Sequence, residues 1–276
     1  MTRAIMSSHR VSLLKIQIIM FGQPLKHLGE TASTNDDAAN WARADEPSRA
    51  THGAVVRADS QTRGRGRLGR EWVSPANLGL YFSIVLRPEN LEIARVPQLT
   101  MVAAVSCAQA IEEVSGLRAH VKWPNDVILH GRKIGGILSE AHTSTSSTRS
   151  ASNVDFAVVG IGLNVDFNAN DLPRNLKIPA TSLRMESGDV GKSEKLFAAI
   201  LRSFERNYQC FMAGEWTNLR DEFARRDILQ NQNVRVETAN ETFRGVVREM
   251  NDNGVLRVQT ENGAREVVAG DVIPEE

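Results

Sequence analysis

The residues Gly64-Arg65-Gly66-Arg67-Leu68-Gly69-Arg70 set three arginines among three glycines, with Arg63 just ahead of them. Guanidinium forks match the oxygens of phosphate and carboxylate, and glycines let backbone N–H groups approach the same anion. The three glycines satisfy the G-x-G-x-x-G spacing of dinucleotide-binding folds. That fingerprint needs a strand ending at the first glycine and a helix opening at the third. Here the polar residues Asp59 to Arg63 intervene, and Glu71-Trp72-Val73-Ser74-Pro75 cannot open a long helix. The dinucleotide reading is excluded by context. A loop that closes on a small anion, a solvated basic loop and a nucleic-acid contact all remain open.

Two further segments carry chemistry. Lys122-Trp123-Pro124-Asn125-Asp126 precedes Lys133-Ile134-Gly135-Gly136-Ile137-Leu138-Ser139-Glu140. A lysine beside a Gly-Gly strand suits a charge placed where a ligand presses on the backbone. Asn125 could bond an adenine edge, and Asp126 could accept from a lysine or sit near magnesium. Equally, Trp123 could lie in the core, Asp126 cap a turn and Lys133 face solvent. In Gly160-Ile161-Gly162-Leu163-Asn164-Val165, two glycines permit close approach of a flat ligand, or mark a bulged core strand.

These residues need a frame. Ser33-Thr34-Asn35-Asp36-Asp37 has helix-start chemistry and continues to Ala44 as a short helix. Strands are expected at Gly53–Ala58, Leu78–Leu86, Val121–Leu129, Lys133–Glu140 and Phe156–Val165. Helices are expected at Val96–Val114, stopping at Gly116, and at Lys195–Phe211. The Ser/Thr-rich run from Thr143 to Asn153 reads as a mobile hairpin tip. Composition changes near Asp227. Beyond it, short alternating runs at 234–236, 243–247, 255–258 and 267–273 form a small β module, too short to stand alone.

Bulk properties narrow the class. The 276 residues are 41% hydrophobic and 24% charged, with 33 basic and 33 acidic side chains, so no wholesale nucleic-acid or membrane binding is signalled. Cys107 and Cys210 lie far apart without metal-ligand spacing, which fits a reducing cytoplasm. The apolar stretch Val11–Phe21 is broken by Lys15 and Gln17 and falls short of the roughly 20 residues a membrane span needs. It reads as the lead-in to the first strand, with the first ten residues frayed. Of the six histidines only His130 and His142 lie near the motifs, and no Ser-His-Asp or Cys-His set is evident.

Taken in order, Ser33-Thr34-Asn35, Gln61, the Gly64–Arg70 loop with Trp72, Lys122–Asp126, Lys133–Glu140 and Gly160–Asn164 resemble the catalytic domain of biotin protein ligases. The resemblance runs from about residue 30 to the C-terminus, whose β module is similar to the family's SH3-like domain. It implies an α/β (α+β) catalytic domain with a mixed sheet over residues 1–228, and a small SH3-like β-barrel over 229–276. It implies ATP, Mg2+ and the substrate biotin, joined as biotinyl-5'-AMP before transfer to a lysine of a biotin carboxyl carrier protein.

Residue by residue, the resemblance implies that Ser33, Thr34, Asn35 and Gln61 line the biotin pocket. Gly64, Gly135, Gly136 and Gly160 would leave room for ligand. Arg65 and Arg67 would fold over it, Arg67 on the acyl-phosphate, and Lys133 would contact the reacting carboxylate and α-phosphate. Arg70, Trp72, Asn125 and Asn164 would face the nucleotide, with magnesium near Asp126. Lipoate–protein ligases share the fold and the acyl-adenylate chemistry, but Gly64–Arg70 and Lys122–Asp126 match the biotin branch. Only about 30 residues precede Ser33, too few for the DNA-binding winged helix of bifunctional members, so DNA binding is not expected. A monomer or homodimer is implied.

Overall fold

The computed structural model describes residues 21–143, 153–173 and 176–275. The first ten residues, all of the Val11–Phe21 lead-in except Phe21, and the hairpin tip between Thr143 and Asn153 lie outside the described residues.

Seven strands form one mixed sheet: β1 (Leu25–Thr31), β2 (Val55–Gln61), β3 (Gly79–Leu86), β4 (Ala119–Lys122), β5 (Asp126–Leu129), β6 (Arg132–His142) and β7 (Phe156–Asn164). Their spatial order is β1-β2-β3-β7-β6-β5-β4. Only β1 and β2 pair in parallel. A parallel pair needs a crossover, and α1 (Thr34–Arg43) supplies it.

Strand alternation sends side chains to two faces. On β3, Phe82 and Ile84 enter a large core with α2 (Val96–Ser115) and α4 (Ser193–Met212). Val85, one residue on, joins Val56 and Val158 beneath the alanines Ala38, Ala39 and Ala42 of α1. The small residues of α1 let it lie close to the sheet beside Ser83 and the Gly160–Gly162 stretch of β7. The α2 helix ends as its pattern predicts: Gly116 adopts φ 72° and donates to the Glu112 carbonyl.

Two expectations need correction, and one helix is added. The single strand read at Val121–Leu129 is a hairpin of β4 and β5, because Pro124 has no N–H for a ladder and the chain turns there. The fold-back pairs Lys122 directly with Asp126. The run Val267–Ile273 is likewise split, at Gly270 with φ 149°, where a Cβ would stand 2.7 Å from the Glu237 carbonyl oxygen. A helix, α5 (Trp216–Arg226), was not anticipated, although its buried Trp216, Leu219 and Phe223 stand at helical spacing.

From Asn233 a second, wholly antiparallel sheet follows: β8 (Asn233–Glu237), β9 (Thr242–Met250), β10 (Leu256–Thr260), β11 (Gly263–Val267) and β12 (Asp271–Pro274), in the order β11-β10-β9-β8-β12. This is the small SH3-like domain. Its turn at 251–254 is clamped on the catalytic domain. The Trp123 indole donates to the Gly254 carbonyl at 3.0 Å, and Trp216 donates to the Asp252 carbonyl at 2.6 Å.

Candidate functional site

The strands β6 and β7, the arginine loop, the 122–126 turn and the start of β12 enclose a cavity of about 360 Å³. Of the residues singled out from sequence, it gathers Ser33, Thr34, Asn35, Gln61, Arg65, Arg67, Arg70, Trp72, Asn125, Asp126, Lys133, Gly136, Gly160 and Asn164. Gly64 and Gly135 do not line it. A Cβ on Gly64 would meet the Trp72 carbonyl oxygen at 2.3 Å, so that glycine serves the loop's own fold. A Cβ on Gly135 would meet Leu163 at 2.2 Å, on the core face of the strand.

One end of the cavity is a buried polar network at the start of α1. Ser33 has the extended backbone of a cap residue, but its side chain does not cap the helix. The Gln61 carbonyl oxygen accepts from the Thr34 backbone N–H at 2.9 Å and from its hydroxyl at 3.1 Å. The Gln61 amide donates to the Ser74 hydroxyl at 2.9 Å. Ser83, fully buried, stands 2.8 Å from the Thr34 hydroxyl and 2.6 Å from Asn35 Oδ1. Asn35 in turn donates to Glu140 at 2.7 Å. Each side chain has its neighbours fixed, so donors and acceptors are held in place for a small polar head group.

The glycines of β7 have distinct partners. A Cβ on Gly160 would stand 2.1 Å from Asn35 Oδ1, and one on Gly162 would stand 2.4 Å from Trp72 Nε1. Gly136 meets nothing closer than 3.5 Å and is open to the cavity. Trp72 therefore packs its indole nitrogen closely against Gly162, and this buried Nε1 has no hydrogen-bond acceptor among the described residues.

The other end is cationic. Lys133 Nζ is 2.6 Å from Asp126, and Lys122, almost wholly buried, is 3.9 Å from the same carboxylate. Burial lowers the Lys122 ammonium, with Asp126 acting against that. Arg67 donates to Asn125 at 3.3 Å, while the Asn125 amide donates to the Ile137 carbonyl at 3.0 Å. Burial also pulls the Arg67 guanidinium below its usual range, opposed by Asp126 and Asp271. Asn164 lines the wall and donates to the Thr181 carbonyl at 2.9 Å.

Two arginines are held by carboxylates. Arg65 pairs with Asp36 at 2.8 Å and Glu140 at 3.0 Å, and Arg70 pairs with Asp271 on β12. Lys177 reaches the same Asp271 at 3.0 Å. Burial would raise the Asp271 carboxyl, but hydrogen bonds from Arg70 and Lys177, with their charges, hold it at about 2. The histidines take other partners: His130 bonds Glu186 at 2.7 Å, while His142 stacks on Phe156 and lies 2.8 Å from Arg43.

Sequence reasoning missed Ser83 and Asp271 as parts of this site, and gave Lys122 and Gly162, though inside motifs it singled out, no role of their own. Ser83 had a signal, since it is the one hydroxyl in the buried strand Leu80–Leu86 outside the aromatic pair. Asp271 had none, because only the packing of the second sheet brings it to the cavity.

The cavity thus has a neutral hydrogen-bonded end at Thr34, Asn35, Gln61 and Ser83 and a cationic end at Arg67, Lys122 and Lys133. The profile of the biotin/lipoate A/B protein ligase family matches residues 31–164, and that of the biotin protein ligase C-terminal domain matches residues 230–273. The Bifunctional ligase/repressor BirA of Bacillus subtilis is 34% identical over 94% of this chain and 76% of its own length. The Biotin--[acetyl-CoA-carboxylase] ligase of Paracoccus denitrificans is 30% identical over 89% of this chain and 98% of its own. The biotin protein ligase of Aquifex aeolicus, solved with biotin and ATP, superposes with a TM-score of 0.75 at 28% identity, over 92% of this chain and 99% of that one. The chain thus belongs to the biotin/lipoate A/B protein ligase family. Within it, the paired catalytic and C-terminal domains place the chain among the biotin protein ligases.

Proposed function

We propose that the cavity joins biotin and ATP into biotinyl-5'-AMP and passes the biotinyl group to a lysine of a biotin carboxyl carrier protein. The carrying observation is one cavity with a fixed neutral network at Thr34, Asn35, Gln61 and Ser83, and the cations Arg67, Lys122 and Lys133 at the other end.

In the first half-reaction a biotin carboxylate oxygen attacks the α-phosphorus of ATP, and the bond to pyrophosphate breaks. Two anions must meet, so cationic donors offset the repulsion. Lys133, on the strand whose Gly136 opens to the cavity and 2.6 Å from Asp126, would bridge the carboxylate and the α-phosphate. Arg67 projects from the loop onto the same end and would hold the acyl-phosphate. Ser33, Thr34, Asn35 and Gln61 would bind the ureido head of biotin, with Gly64 and Gly160 shaping the loop and the floor behind them. Trp72 and Asn164 would border the nucleotide with Arg70 and Asn125.

Among the described residues no three His, Cys, Asp or Glu side chains cluster as a metal site. Of the carboxylates near the cationic end, Asp126 is engaged by Lys133 and Asp271 by Lys177 and Arg70, which suits magnesium bound mainly by ATP phosphates. Magnesium would neutralise charge on the leaving pyrophosphate. In the second half-reaction the acceptor lysine amine, having lost its proton, attacks the acyl carbon and AMP leaves. No enzyme nucleophile is consumed, in keeping with the structural partners of His130 and His142.

Labelled-biotin transfer onto a carboxylase acceptor domain, with ATP and magnesium and with lipoate and octanoate in parallel, tests this reading. Incorporation of biotin alone is expected. Transfer of lipoate instead would overturn the assignment of the pocket while keeping the chemistry. No helix among the described residues is long and apolar enough to cross a membrane.

A further inference from the structure

Asp227 closes α5 and opens the link to the second sheet. Its Oδ1 accepts from the Trp123 backbone N–H at 3.3 Å and from the Leu229 N–H at 3.2 Å. Beside it, the Ile228 N–H donates to the Val121 carbonyl at 3.0 Å, so the link runs alongside β4, and Leu229 is fully buried. The 122–126 turn is thereby gripped from the link and, through Trp123 and Gly254, from the second sheet.

Asp227 also enters the charge balance of this turn. Lys122 is 7% exposed, and a buried ammonium needs opposing charge close by. Asp126 is 3.9 Å from Lys122 but 2.6 Å from Lys133, so two cations share one carboxylate. Asp227 acts electrostatically on Lys122, more strongly than Asp271 does, and is the next anion after Asp126.

We propose that Asp227 is a positioning residue for adenylation: it fixes the backbone of the Lys122–Asp126 turn and balances Lys122, which leaves Asp126 to Lys133. The inference rests on the reading of this end of the cavity as the place where ATP reacts. Asp227 touches no substrate and acts through Lys122 and Asp126.

The test uses the full chain as wild type, Asp227→Asn, Lys122→Met and the double variant. Single-turnover formation of biotinyl-AMP from radiolabelled ATP gives the rate constant at saturation separately from the ATP concentration needed to reach half of it. Asparagine keeps an oxygen acceptor for both backbone N–H groups and removes only the charge. In Asp227→Asn the saturating rate constant is expected to fall about ten-fold, with the biotin Kd unchanged. In the Lys122→Met background the same substitution is expected to have no further effect. Equal slowing in both backgrounds would reduce Asp227 to a backbone clasp and overturn the inference, as would no slowing at all. If Asp227→Asn does not fold, recovery of folding in the double variant supports the charge pair, and failure of both overturns it. A wild type that made no biotinyl-AMP would instead sink the reading of the site, a result visible before any variant is compared.

Discussion

Arg70 and Asp271, 201 positions apart in sequence, join the arginine loop to the first residue of β12. The second domain is therefore part of the cavity wall. Lys177 ends on the same carboxylate, so one side chain ties down two surface segments. An ion pair of this partly exposed kind is worth up to about 1 kcal/mol, or about five-fold in an equilibrium. Asp271→Ala is expected to raise the rate of tryptic cleavage within the loop by about that factor. The pair has a defined pH range. A depressed carboxyl contributes stability above its unfolded value of 3.8, and loses it as pH falls through about 2. Loop protection in the wild type should hence stay flat across the neutral range. A cleavage rate unaffected by Asp271→Ala would show that the loop is held by other contacts.

Arg67 has a different environment and a different expected effect. Its guanidinium is drawn under the loop to Asn125 and is partly desolvated, where a charge-assisted contact to phosphate is stronger than at the surface. Arg67→Gly leaves Lys133 and Lys122 in place, so biotinyl-AMP should still form. The intermediate should then leave about ten- to a hundred-fold faster, the loss of roughly 1.4 to 2.8 kcal/mol of binding. Trapping released biotinyl-AMP in a stopped reaction without acceptor measures this directly. Retention equal to wild type would remove Arg67 from the role assigned to it.

The glycines of β7 allow the two halves of the cavity to be separated. Gly160→Ala drives a methyl group into Asn35, and Gly162→Ala drives one into the Trp72 indole. The first should weaken biotin and spare ATP; the second should do the reverse. Each change forces a side chain to shift and is expected to cost about 1–3 kcal/mol, or about five- to a hundred-fold in Kd. Calorimetric titration of each variant with biotin and with a non-hydrolysable ATP analogue reads the difference. Equal losses for both ligands in both variants would mean that the cavity is not divided along β7.

How far the site was legible depended on what kind of signal each residue leaves. The helix start at Ser33–Asp37, the Gly64–Arg70 loop and the Gly160–Asn164 strand are local patterns, and the structure brings them to one cavity. The place of Lys122 was hidden because a β-rich run with one proline reads as a single strand, and only the fold-back at Pro124 pairs it with Asp126. Gly135 and Gly136 are adjacent and alike in sequence, yet pleating turns one to Leu163 and the other to the cavity. Asp271 and Asp227 depend on how the second sheet docks, a long-range packing outcome with no local signature.

That docking makes a prediction about stability as well as rate. Burial pushes the Asp227 carboxyl up to about 6, against hydrogen bonds from Leu229 and Trp123 and the charge of Lys122. For an acid the sign is the reverse of the Asp271 case. Above its unfolded value of 3.8 the folded protein must keep a carboxylate charged where the charge is disfavoured, and that cost is complete only once pH exceeds about 6. Asp227→Asn does not carry this cost. The loss of a counter-charge for Lys122 adds an offset to the comparison, so the diagnostic is the trend with pH. The Tm of the variant minus that of the wild type should increase as pH rises from about 4 to about 7 and level off beyond. Thermal melts of both proteins in matched buffers give that difference. A flat difference across the range would mean that Asp227 titrates alike in the folded and unfolded chain, and that its carboxylate is better solvated in the seam than the structure indicates.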